Sequence, residues 1–209
     1  MSGSRPDASD GSCLSARIRH VTGESVFDCY QCGKCSAGCP LARDMDYPPS
    51  YLLRMLQLGM PAPDEQVLAS LSIWLCLTCE ACAARCPKEV GLPRIMDFLR
   101  QESLRQGKVN PKAREILAFH RSFLDSVRQT GRLHEVGLIA LYKMRTLHLL
   151  QDVLTAPKMM ARGKLRLRPP RRAGKAEVRK IFQRAAATEP TVAPPSAPCE
   201  PRGHGEGPT

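Results

Sequence analysis

Aromatic residues make up only 5% of this 209-residue chain. No stretch alternates apolar and polar residues cleanly enough for a strand, which excludes a sheet-based fold and predicts a mostly α one. Long apolar runs are missing too. The most apolar one, LHEVGLIALYKMRTLHLL at 133–150, carries His134, Glu135, Lys143, Arg145 and His148. Each charge at mid-membrane costs roughly 2.5–3.5 kcal/mol on insertion scales, which argues against a transmembrane segment. The opening MSGSRPDASDGS lacks the apolar core of a secretory signal. There is no Gly-rich dinucleotide loop, no G-x-S-x-G and no zinc-protease pattern, and no two cysteines are adjacent. His20, His120, His134, His148 and His204 are scattered and read as surface or packing groups. These absences leave no open catalytic centre, so any chemistry belongs to another protein.

Cysteine is abundant instead. Eight of the ten cysteines fall in two runs, DCYQCGKCSAGCP at 28–40 and CLTCEACAARCP at 76–87. Both read C-x2-C-x2-C-x3-C-P. Disulfides between residues three apart would strain the backbone, so the pattern favours metal-bound thiolates in a reducing, cytoplasmic compartment. Four soft thiolates at this spacing suit an iron–sulfur cubane. Two-residue gaps let three thiols wrap one face, and the fourth, followed by proline, is carried toward a neighbouring cluster. One [4Fe-4S] cluster is therefore expected on Cys29, Cys32, Cys35 and Cys86, and a second on Cys76, Cys79, Cys82 and Cys39. Structural zinc is the competing metal, but zinc ribbons present cysteines in two pairs rather than two runs of four.

Gly33, Ser36, Ala37, Gly38, Ala81, Ala83 and Ala84 either permit close backbone approach, with N–H groups on the sulfurs, or simply fit tight turns. Lys34, Arg43, Arg85 and Lys88 either balance cluster charge or are plain solvated cations. Cys13 and Cys199 lie outside the runs and read as spare free thiols. The formal charge of +11 counts every thiol as neutral. Two four-thiolate clusters at roughly −2 each would bring it to about +7.

Along the chain, residues 1–24 read as a polar arm and 25–107 as the cluster domain. A helical extension (108–157), a basic docking segment (158–187) and a disordered Pro/Gly-rich tail (188–209) follow. Within the cluster domain, Ser50 is a candidate N-cap for a helix ending at Gly59. Asp64 is expected to cap a second that runs unbroken to Cys76, and Pro93 begins a third that ends near Gly107. Asn110-Pro111 starts a fourth, with Ile116, Phe119, Phe123 and Val127 inward and Gly131 as its end. One or two more are expected in 132–154. Residues 158–180 hold ten Lys or Arg against one Glu. Nucleic acid is a conceivable partner for such a stretch, but few aromatics accompany the charge, so none is expected.

DCYQCGKCSAGCP, MDYPPSYLLRMLQLGM, IWLCLTCEACAARCP and FLDSVRQTGRLHEVGL together resemble the C subunit of heterodisulfide reductase, over about residues 24–183. The resemblance implies an α-helical ferredoxin fold with two [4Fe-4S] clusters ligated as assigned above. It also implies two partners from such a complex: a protein like the heterodisulfide reductase B subunit, with Cys-Cys-Gly clusters, and a flavin-containing one like the A subunit. The expected role is non-catalytic electron transfer within an oxidoreductase complex. A free-standing dicluster ferredoxin is the alternative, although the chain after Cys86 is longer than two clusters need.

Overall fold

The structure is a computed structural model that describes residues 13–146 and 175–187. Among these are ten α-helices, two short 3-10 turns and no strand. The expected tail at 188–209, Cys199, residues 1–12 of the expected arm and residues 158–174 of the basic segment lie outside the described residues. None of the described helices is long and apolar enough to cross a membrane. Two compact units divide at Pro111 and Lys112.

In the first unit the reading of residues 1–24 as an arm fails from Leu14 onward. Leu14–Thr22 form helix α1, with Leu14 and Ile18 buried one turn apart. The helix packs against α3 (Pro49–Gln57) and α7 (Leu92–Arg105). Its polar appearance comes from Arg17, whose charge is not in water: the guanidinium is buried and paired with Glu102 of α7. Asp64, expected to cap its own helix, serves α1 instead. It sits in the first turn of α4 (Pro61–Leu68), and its Oδ2 accepts the Leu14 N–H at 3.1 Å.

That buried carboxylate has a pH signature. Burial pushes the Asp64 pKa up to about 6, with the Leu14 hydrogen bond opposing, and Oδ1 has no partner. An unfolded aspartate releases its proton near pH 3.9. The folded state therefore holds the proton more tightly, which adds stability at low pH that is lost as pH rises from about 4 to 6. Asp64→Asn is expected to raise the anaerobic melting temperature at pH 8, by an amount equivalent to about 1–2 kcal/mol. The gain should shrink as pH falls toward 5, and no gain at pH 8 would show that the site tolerates the charge.

Two other boundaries differ from expectation. Ser50 is not the N-cap of α3; Pro48 holds that position with Pro49 as first residue. The orphan Ser50 N–H is satisfied by Ser36 Oγ at 2.8 Å, a side chain from the first cysteine run. The helix expected from Asp64 to Leu75 is two, α4 and α5 (Ser72–Leu75). The break is made by Asp46, whose carboxylate accepts the N–H groups of Leu71 and Ser72, both at 2.8 Å. Burial pushes the Asp46 pKa up, but these donors and the Ser72 hydroxyl outweigh it and hold the carboxyl below its usual range. The restarted turn aims the chain at Cys76.

Helix α7 is the central element, touching α1, α4 and α5. Its Leu92, Ile95, Met96, Phe98 and Leu99 are buried, as are Leu52, Leu53, Met55 and Leu56 of α3. Each such side chain contributes about 1.5–3 kcal/mol relative to exposure.

The second unit contains α8 (Arg114–Thr130), α9 (Glu135–Thr146) and α10 (Lys175–Ala187), with α9 and α10 both packed on α8. Helix α8 ends at Gly131 as expected. Its inward stripe is only partly the expected one: Ile116 and Val127 are half-buried and Phe119 meets Tyr142 of α9 edge-on, but Phe119 and Phe123 stay 44% and 37% exposed while Ser122 and Ser126 are buried. Ser126 Oγ accepts the His134 N–H at 3.1 Å, and Arg145 of α9 reaches Ser122 and Asp125. Small hydroxyl residues one turn apart let α9 approach α8 and bond to it, which an apolar-periodicity reading cannot anticipate.

Candidate iron–sulfur site

The two cysteine runs fold alike. The chain enters the first after the 3-10 turn Val26–Asp28 and the second after α5. The third residue of each run, Gln31 or Thr78, has positive φ (64° and 50°). Gly33 and Glu80 follow in the left-handed region and open the single-turn helices α2 (Lys34–Ala37) and α6 (Ala81–Ala84). Those two turns pack on each other, α2 also on α3 and α6 also on α7. The close approach runs through Gly38, where an added Cβ would lie 2.2 Å from Nη1 of Arg85 in the other run. The neighbour is a side chain rather than backbone, so a larger residue at Gly38 would displace Arg85 from its place against the first run.

Two cavities flank this contact. One, of about 420 Å³ and partly open, is lined by Cys39, Cys76, Cys79 and Cys82 with Leu41, Met45 and Met96. The other, of about 340 Å³, is lined by Cys29, Cys32, Cys35 and Cys86, with Lys34, Leu53 and Val90, and also by Cys82. The last cysteine of each run thus stands with the first three of the other. Leu92 borders both cavities, as Cys82 does.

Burial dominates the state of the thiols. It pushes the pKa of Cys29, Cys35 and Cys76 up, and that of Cys82 to about 11. Crossed neighbours add to this: Cys86 raises Cys29, and Cys39 raises Cys76. Metal-free, these sulfurs keep their protons at neutral pH, so a metal that binds thiolate must displace them. Cys32 and Cys79 are the exposed members.

The donor set fits a polynuclear core better than one ion. Each cavity offers four soft thiols spread over its wall, three from one run and one from the other. A four-iron core gives each sulfur its own iron, so its ligands line a cavity rather than meet at a point.

Several contributors were not legible in the sequence. Arg100 of α7 donates to the carbonyls of Ile73 and Cys76, fixing the entry to the second run. Gln57 of α3 donates to the carbonyls of Val26 and Cys29 and fixes the entry to the first. Only a long-range fold reveals such contacts. Of the two cysteines outside the runs, Cys13 is not the spare free thiol expected. It is buried just before α1 and disulfide-bonded.

Residues 25–90 match the family described as 4Fe-4S dicluster domain. Curated relatives carry one name in several forms. The chain is 28% identical over 106 residues to the C subunit of the H(2):CoB-CoM heterodisulfide,ferredoxin reductase of Methanothermobacter thermautotrophicus, covering 51% of this chain and 56% of the relative. It is 32% identical over 113 residues to the iron-sulfur C 2 subunit of the CoB--CoM heterodisulfide reductase of Methanocaldococcus jannaschii (54% and 59%). It is 34% identical over 95 residues to the iron-sulfur C subunit of the same-named reductase of Methanopyrus kandleri (46% and 48%). The chain spans about half the length of the curated relatives it matches. The helical unit around the two runs is a 4Fe-4S dicluster, ferredoxin-like domain, and its cofactors are two [4Fe-4S] clusters.

Proposed function

We propose that this chain is the electron-relay subunit of a cytoplasmic heterodisulfide-reductase-like complex. One cluster is held by Cys29, Cys32, Cys35 and Cys86, the other by Cys76, Cys79, Cys82 and Cys39. The observation that carries this reading is the pair of cavities, where three cysteines of one run stand with the last cysteine of the other and Cys82 borders both. When bound, the clusters supply reversible one-electron storage. The chain's residues hold the two sites side by side across Cys82 and Leu92, keep six of the thiols half-buried, and leave Cys32 and Cys79 at the surface. With all eight run cysteines used as ligands, no iron keeps a position for substrate. Disulfide chemistry then falls to a partner with Cys-Cys-Gly clusters, like the heterodisulfide reductase B subunit. A flavin-containing partner, like the A subunit, stands on the other side of the relay. The basic segment is read as the docking surface for a partner; its described portion, α10, exposes Arg179, Lys180 and Arg184.

Anaerobic reconstitution tests the reading. About eight irons and eight acid-labile sulfides per chain are expected. The reconstituted chain should accept electrons from a reduced flavoprotein and show no disulfide turnover by itself. Disulfide reduction by the lone chain would make it the catalyst, and stoichiometric zinc in place of iron would remove the relay altogether.

A further inference from the structure

The two halves of the site share a backbone but differ beside the first cysteine of each run. Gln31 and Thr78 occupy the same register and both have positive φ. Thr78 turns its hydroxyl onto the Leu77 carbonyl at 2.7 Å. Gln31 places Nε2 at 3.6 Å from the Cys29 sulfur and 3.1 Å from Gln57 Oε1. Gln57 is itself immobilised, its Nε2 donating to the carbonyls of Val26 at 2.9 Å and Cys29 at 2.7 Å. A side-chain amide has two N–H donors. Gln57 spends both on those carbonyls, so its oxygen faces Gln31. Gln31 gives one N–H to that oxygen and has the other for the sulfur.

We propose that Gln31, oriented by Gln57, sets the reduction potential of the cluster bound through Cys29 by donating a hydrogen bond to the Cys29 sulfur. The inference rests on the ligation by Cys29 proposed above. Electron density on a ligating sulfur grows when its cluster is reduced, so an N–H donor there favours the reduced form and raises the potential. Other donors stand at the same cavity: the Val90 N–H lies 3.4 Å from the Cys86 sulfur, and Ser36 bonds the Cys35 sulfur. The backbone N–H groups of Gln31 and Thr78 both bond the first sulfur of their run, but the Thr78 side chain adds nothing to match the Gln31 amide, which makes the second cluster an internal control.

Redox titration of the full chain, followed by EPR under anaerobic conditions, tests this. Gln31→Met removes the donor at nearly constant volume. It should lower the midpoint of one cluster by about threefold to tenfold in the one-electron equilibrium constant, the upper end being about 59 mV. The other midpoint should not move. Gln31→Glu, which adds a negative charge as well, should lower the same midpoint further. Gln57→Met should lower it less than Gln31→Met, because the donor remains but is no longer held. Unchanged midpoints in Gln31→Met, or equal shifts in both clusters, would overturn the proposal. Cys29→Ser separates this from a failure of the ligation: if that variant leaves both EPR signals and the iron content unchanged, Cys29 is no ligand. If it alters one signal while Gln31→Met leaves that midpoint alone, the ligation stands and the donor role falls. Should Gln31→Met lose its cluster, unmutated protein with 15N-labelled glutamine side chains decides. An amide nitrogen coupled to the spin of one reduced cluster supports the bond, and no coupling refutes it.

Discussion

Cys86→Ala is expected to remove the same cluster as Cys29→Ala, although 57 positions separate the two residues, and Cys39→Ala the same cluster as Cys76→Ala. Each variant, purified anaerobically, should hold about four irons fewer than the roughly eight of the unaltered chain, with one EPR signal lost and the other retained. The expectation follows from how each run ends. Cys35 and Cys82 lie inside the single turns α2 and α6, and the last cysteine lies beyond each turn, where the chain has left its own cavity. Cys39 then lines the cavity of Cys76, Cys79 and Cys82, and Cys86 that of Cys29, Cys32 and Cys35. EPR sorts the four variants into two pairs. Pairing Cys86 with Cys76 and Cys39 with Cys29 would show that each run binds its own cluster, and the proposed ligation would fall. The crossed arrangement also makes each cluster a cross-link between the two runs. Loss of either should therefore loosen the α2–α6 contact as well as remove iron.

What could be read from the sequence was what chemistry spaces out. Thiolates at C-x2-C-x2-C-x3-C-P have few other uses, so the eight cysteines stood out. So did α7, because Leu92, Ile95, Met96 and Leu99 keep one stripe and a proline and a glycine mark its ends. The failures share one cause, a polar residue whose partner is far away in sequence. Arg17 made α1 look like an arm until Glu102 neutralised it. Asp46 cuts the helix before Cys76 in two from 25 residues upstream. Asp64 caps a helix 50 residues before it. Ser122 and Ser126 take the most buried places on the stripe that Phe119 and Phe123 were expected to fill, because hydroxyls with partners at His134 and on α9 can be buried and the rings need not be. Periodicity counts apolar letters, and none of these positions is one. Gln31 and Gln57 belong with them: nothing in their spacing marks a donor aimed at sulfur.

Glu102→Ala is expected to be the most destabilising single change outside the cysteines. Glu102 is 4% exposed. It accepts from Arg17 of α1, from Arg105 Nε at 2.9 Å and Nη2 at 2.8 Å, and from Gln106. Burial alone would push its pKa up, but these donors outweigh it and bring the value to about 2. An unfolded glutamate titrates near 4.3. The pair's contribution is therefore complete above about pH 5 and is lost as pH falls toward 2. Arg17 is the vulnerable partner. Its guanidinium is buried, stacks over Phe98 at 5.9 Å, and leaves Nε without a hydrogen bond. Without Glu102 it would be a buried charge with only an aromatic face to offset it, a loss of about 3–5 kcal/mol. For a domain of this size that lowers an apparent melting temperature by more than about 10 °C, read anaerobically from the loss of cluster absorbance. Removing both charges should cost far less, because Arg17→Met with Glu102→Leu leaves no unpaired group, and Arg105 and Gln106 can turn to water. Trypsin gives a second reading. Arg19 lies in α1, and a helix no longer anchored to α7 should be cut there much faster in Glu102→Ala than in the double variant. If the single variant melts within about 2 °C of the unaltered protein and resists trypsin equally, then the Arg17–Glu102 pair is not what holds α1 to the cluster domain.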